Sequence, residues 1–253
     1  MFKHQDQAEG LRKIMGKNAP RIIGVLSTVQ PMPTRWLHTL ASHMAQPEAR
    51  TLLIQHQHDK YTPGIPALQQ IAMQQAPLSQ ATRSHPLGFD RACLFENSPV
   101  RPPLSAHTMQ ALDGIVRQLS SHYDTVMIEA HMQSTHELTL PLLAEQTLVI
   151  HMPHDENAIT AAYSLIKRIC MQYGERGFGI VISQASRLQG QHMFMRLQQV
   201  CQQFLGISLH FLGAIPQETP TVAAPASPGS QAFRQLASNL DKHAFHHAAL
   251  VAA

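Results

Sequence analysis

Charge is scarce in this sequence. Asp, Glu, Lys and Arg make up 14% of its 253 residues, against roughly a quarter in an ordinary soluble chain. The formal net charge is only +3, and the basic residues are scattered, so no basic stripe argues for nucleic acid. Cysteine is nearly absent. Cys93, Cys170 and Cys201 are odd in number, far apart and form no CxxC. A disulfide framework or a cysteine-built zinc site is therefore not expected, and a reducing compartment fits. No apolar run approaches the length of a membrane span. The opening MFKHQDQAEGLRK has no apolar signal-peptide core. These absences are read as those of a cytoplasmic protein. Catalytic signatures are missing as well: no Ser–His–Asp or Cys–His spacing and no carboxylate pair suited to acid–base work. No catalytic residue, metal ligand set or cofactor is assigned.

Glutamine and histidine fill the deficit; histidine alone occurs 17 times. Hydrophobic residues reach 44%, enough for one large core. Their spacing predicts alternating elements. Ala8, Leu11, Ile14 and Met15 predict a first helix over 4–16, followed by a polar linker to Pro20. Buried strands are predicted at Ile22–Leu26, Arg50–Gln55, Thr125–Glu129, Thr147–His151, Phe178–Ser183 and Leu209–Ile215. One or two short strands are expected between Pro77 and Glu96, the better at Arg91–Phe95. Helices are predicted through Trp36–Met44, Ile65–Gln75, Ala106–Ser121, Ile159–Ile169, Gln189–Phe204 and Gln231–Leu240. Asp155 or Asn157 is the expected cap of the helix carrying Ile159. Strand–helix alternation predicts an α/β fold, a doubly wound and mainly parallel sheet with helices on both faces. Three segments are expected: an N-terminal helix and linker over 1–20, the α/β body over 21–242, and a flexible tail over 243–253.

The organising stretch is Arg21–Met44, a strand, a short loop and a helix. In nucleotide-binding α/β proteins such a loop is glycine-rich, because backbone amides and a helix N-terminus together hold phosphate. Here Ser27–Pro33 contains no glycine and no lysine. Two readings stand: an inert connector, or a weak anion site using Arg35. Sites in such sheets lie at strand C-terminal ends. His56, His58, His131, His151 and His154 all fall there, so a metal or pH-sensitive site is one reading and chance clustering the other. Tyr163, Met171 and Tyr173 are expected in core or interface, and Trp36 in the core. His243, His246 and His247 are expected to be solvated.

Three stretches resemble one family. Asp6-Gln7-Ala8-Glu9-Gly10-Leu11-Arg12 matches the DQAxxLR element that opens the flagellar-number regulators of the MinD/ParA class, the FlhG group, also called FleN or YlxH. Tyr123–Glu129, YDTVMIE, is similar to that class's YDxxxID strand. Leu143–Pro216 adds Ala158-Ile159-Thr160, Tyr173-Gly174-Glu175-Arg176 and Phe204-Leu205-Gly206-Ile207 in matching order.

The resemblance implies a MinD/ParA-like P-loop fold, an ATP-gated dimer and control of flagellar number through the FlhF-type GTPase. It implies that the helix bearing Asp6, Gln7, Ala8, Leu11 and Arg12 docks on that GTPase and stimulates hydrolysis. Leu11 would supply burial, Arg12 an ion pair, Gln7 an orienting amide, and Asp6 a cap.

The departures are as informative. The family's KGGxGK[ST] loop corresponds to Val29-Gln30-Pro31-Met32-Pro33-Thr34-Arg35. Both lysines are lost, to Val29 and Thr34. Glycines become Gln30, Pro31 and Pro33, and the hydroxyl that would hold Mg²⁺ becomes Arg35. The acidic pair ending the second strand becomes Gln55 and Gln57, and the strand aspartate becomes Glu129. Together these remove charge neutralisation, amide donors and metal ligation. The expectation is a pseudo-ATPase with a degenerate nucleotide site. A divergent nucleotide-binding ATPase stays open, as does a scaffold forming a homodimer or a heterodimer with a MinD/ParA-class paralogue. Nucleic acid is not an expected partner. Peripheral association with the membrane or cell pole stays open, since HAFHHAALVAA has a weak apolar face.

Overall fold

A computed structural model describes residues 20–45, 49–57, 64–96, 105–132, 137–217 and 228–242. The DQAEGLR helix, His58 and the tail lie outside them.

Eight strands form one sheet: β1 (Arg21–Ser27), β2 (Thr51–Gln57), β3 (Arg83–Ser84), β4 (Asp90–Phe95), β5 (Thr125–Glu129), β6 (Thr147–Pro153), β7 (Phe178–Ser183) and β8 (Leu209–Ile215). Their order is β3-β4-β2-β5-β1-β6-β7-β8. All neighbours are parallel except the edge pair β3 and β4. The central strands read as unbroken apolar runs because both faces are covered. In β1, every residue from Ile22 to Ser27 is buried.

Among the described residues six α-helices cover the faces: α1 (Thr34–Met44), α2 (Leu68–Ala72), α3 (Ala106–Ser120), α4 (Ala158–Tyr173), α5 (Arg187–Leu205) and α6 (Pro228–Lys242). Alternate residues of each strand feed one of two cores. Ile22 and Leu26 join Leu112, Val116, Ile166 and Leu197 from α3, α4 and α5. Ile23 and Val25 join Leu37, Leu40, Phe233 and Leu236 from α1 and α6.

Several expectations change. The helix predicted over 65–75 shrinks to Leu68–Ala72: Pro66 restricts its neighbour at the start, and Gln74, at φ 58°, leaves the helical region at the end. The last helix begins earlier, at Pro228, a residue suited to a first turn. Asn157 stands at the N-cap of α4, but no side chain caps that helix. Asp155 instead accepts from the Asn157 amide at 2.9 Å. Met171 is not core; it is 78% exposed.

The Tyr173-Gly174-Glu175-Arg176 turn has a structural task. Arg176 is buried and donates to the carbonyls of Ala144 (2.6 Å) and Gln146 (2.5 Å). Tyr173 Oη accepts from the Leu138 amide at 2.8 Å. The turn therefore ties the end of α4 to the segment that enters β6.

Candidate functional site

β1 lies between β5 and β6. The chain leaves β1 toward β2 on one side, while β5 connects to β6 on the other. A crevice at the C-terminal end of β1 follows, the usual ligand position in an open α/β sheet.

The loop after β1 has little left to give a phosphate. The Thr28 amide donates to the His151 carbonyl at 3.0 Å, and the Val29 amide to Ser27 Oγ at 3.2 Å. Pro31 and Pro33 have no amide proton, and the Gln30–Pro31 bond is cis. Met32, at the centre of the loop, is 3% exposed and packs into the core beside Trp36. The loop thus turns an apolar side chain inward and spends two of its amides on β1 and β6. Thr34 opens α1, and Arg35 in the same turn is exposed.

Beneath the loop lies a cluster that the sequence did not disclose. His151, on β6, is 1% exposed. Its Nδ1 is 2.9 Å from Ser27 Oγ on β1, and its Nε2 is 2.9 Å from Ser183 Oγ on β7. The Trp36 ring stacks on it, centroids 4.8 Å apart. Burial pushes the imidazole pKa down to about 4, because no carboxylate compensates its desolvation. The ring is neutral at pH 7 and bridges three strands with one donor and one acceptor. Its strand register, paired with Ser27 and Val181, could be read only once the strand order was known.

A second cluster ends β2 and β5. Glu129 Oε2 accepts from the His56 amide at 3.0 Å, and Oε1 lies 3.3 Å from His131 Nε2. The His56 and His131 rings stack, centroids 3.8 Å apart. Gln55 is buried, and Gln57 is the last residue of β2. Of the histidines at this edge, His56 and His131 meet, His151 belongs to the buried bridge, and His154 is exposed. Among the described residues no three His, Cys, Asp or Glu side chains are placed to hold a metal ion. At this edge the Thr28 and Val29 amides are engaged, Pro31 and Pro33 have none, and Glu129 accepts from the His56 amide and lies beside His131.

No family model matches the sequence. Over 135 residues the chain is 25% identical to the antiactivator FleN of Pseudomonas aeruginosa, a stretch covering 49% of this chain and 48% of FleN. The match therefore spans about half the length of that relative. Solved structures share the fold more fully. MinD in the MinC–MinD complex of Aquifex aeolicus has TM-score 0.64 and 13% identity, covering 90% of this chain and 98% of that one. MinD of Pyrococcus horikoshii with Mg-ADP has TM-score 0.62 and 16% identity, with coverage of 88% and 96%. A plasmid partition protein of Borrelia burgdorferi bound to AMPPNP has TM-score 0.63 and 13% identity, with coverage of 89% and 99%. The chain thus has the fold of MinD and ParA, and about half of its length is similar in sequence to FleN.

Proposed function

We propose that this chain is a regulator of flagellar number or placement that works without hydrolysing ATP. The observation that carries the reading is the loop after β1. Its central residue Met32 is buried, two of its amides are engaged by Ser27 and His151, and two of its positions are proline. A triphosphate needs several converging amides, a lysine and a metal ligand, whereas this loop has no lysine, two prolines and two amides already engaged. The similarity to FleN supports the flagellar assignment. The fold alone supports only a MinD/ParA-class regulator, many of whose relatives are ATPases.

The acting segment in this reading is the helix bearing Asp6, Gln7, Ala8, Leu11 and Arg12, and its partner is an FlhF-type GTPase. Its role rests on the seven-residue sequence match. The division into an effector segment over 1–20, a body over 21–242 and a tail over 243–253 is part of the same proposal. Helix α6 packs Phe233, Leu236 and Leu240 into the core, so its apolar face is not offered to lipid. No described helix is long and apolar enough to cross a membrane.

GTP hydrolysis by the cognate FlhF-type protein is the test. The wild type should accelerate it, and Gln7→Ala should abolish the acceleration. Equal stimulation by both, or none by the wild type, overturns the proposed action. Calorimetric titration with ATP and Mg²⁺ should give no binding; micromolar binding would return the chain to the ATPases.

A further inference from the structure

We propose that the edge of the sheet at β8 joins a second copy of this chain, edge to edge, in a two-fold dimer. β8 ends the strand order and pairs with β7 and no other described strand. β6 and β7 stand between it and β1, so this contact lies away from the loop after β1. α5 packs on one face of the sheet and α6 on the other: Leu197 of α5 and Phe233 of α6 belong to opposite cores. Between the two helices, along the edge, runs an open groove of about 700 Å³.

Three observations select a second copy. First, side chains stand where a neighbouring strand's backbone would. Gln198 of α5 accepts from the Leu209 amide at 2.6 Å, and Asn239 of α6 donates to the Leu212 carbonyl at 2.8 Å. An uncovered strand edge is a template for another strand, and here two carboxamides hold its place. A Cβ added to the next residue, Gly213, would meet nothing nearer than 4.0 Å; a glycine inside a strand marks a place where another backbone can approach. Second, the groove suits its own copy. A two-fold axis sets one surface against the same surface, so a charged patch repels itself. Arg187 is the one charged residue lining the groove, whereas Gln191, Gln231 and Gln235 also line it. A carboxamide is both donor and acceptor, so like can pair with like. Third, one axis serves strand and helix together. Leu188 and Met195 of α5 are 69% and 67% exposed, and their seven-residue spacing puts them on one stripe. In an antiparallel pair of α5 helices, Leu188 meets the partner's Met195 when the axis passes between Gln191 and His192. Gly190 lies against Ala214, and the Phe194 and Phe211 rings are 5.3 Å apart. That level of α5 therefore sits beside Leu212, the midpoint of β8, and an antiparallel pair of β8 strands centred there uses the same axis.

Sedimentation velocity on the full chain without nucleotide, over about 1–200 µM, tests the dimer. A reversible monomer–dimer equilibrium is expected. Leu188→Lys combined with Met195→Lys should weaken it about tenfold or more and leave Tm unchanged, because both side chains are exposed. Met171→Lys, exposed on α4, should leave the dimer intact. His192→Cys, beside the axis, should cross-link to a symmetric dimer with a short bifunctional thiol reagent. The wild type, with Cys93 and Cys201 buried and Cys170 half-buried, should not. A monomer throughout that range, a dimer untouched by the two lysines, or a dimer that His192→Cys fails to cross-link overturns the proposal. The GTPase test of the flagellar reading concerns a different segment, so neither result decides the other.

Discussion

His151 should make this protein sensitive to mild acid. In the folded chain the ring is 1% exposed, touches Ser27, Ser183 and Trp36, and holds its pKa near 4. In the unfolded chain it takes up a proton near pH 6.5. Between those values the unfolded state binds more protons than the folded state. Stability therefore falls as pH drops through this window, and the ring costs nothing above it. Each pH unit in the window is worth about 1.4 kcal/mol. The loss reaches about 2 kcal/mol at pH 5 and about 3 kcal/mol at pH 4, a large share of the total for a marginally stable domain. Protonation also replaces one acceptor nitrogen with a donor, so one serine hydroxyl must turn. Urea unfolding near pH 7.5 and about pH 5, on wild type and His151→Gln, checks this. The variant should be less stable at the higher pH, because it loses the Trp36 stack. On acidification the wild type should lose about 2 kcal/mol more than the variant. Equal losses would refute the argument, since the other histidines titrate in both proteins.

Two further perturbations test the packing. A Cβ added to Gly190 would meet the Cβ of Ala214 at 2.5 Å, so Gly190→Ala must lift α5 off β8. Overpacking costs about 1–3 kcal/mol and exceeds the gain of up to about 1 kcal/mol in helix propensity, so a lower Tm is expected. Arg176→Met leaves the Ala144 and Gln146 carbonyls without their charged donor. It should cost about 2 kcal/mol or more, read as a lower urea midpoint. An unchanged midpoint would show that the turn does not anchor the segment entering β6.

The abundance of histidine gains a physical sense from the packing. Aromatic residues make up only 6% of the chain, and imidazoles stand in as planar packing groups. His151 stacks on Trp36, His85 on Phe89, His43 on Phe233, and His56 on His131. Of the described edge histidines considered for a metal site, only His56 and His131 meet, and they meet face to face. A stack of rings cannot be told from a ligand set by counting residues. The distinction lies in ring orientation, which tertiary contacts fix.

Strand positions, the parallel sheet and a loop after β1 without glycine or lysine were legible before any coordinate, because they depend on local chemistry. An unbroken β-branched run is stable only when covered on both sides, and a proline lacks an amide proton wherever it sits. The segments that shifted were those where neighbours decide. Pro66 delays the start of α2 and the positive φ of Gln74 ends it, and packing of Phe233, Leu236 and Leu240 into the core holds α6 in place. The bridge from Ser27 through His151 to Ser183 joins residues 124 and 32 positions apart, and no spacing rule links them. Only the order β1-β6-β7 brings them side by side. Local sequence thus put two prolines and no glycine or lysine in the loop that borders the space above β1. The packing of helices on the sheet decided what fills that space and what stays open beside it, because those contacts are made between segments distant in the chain.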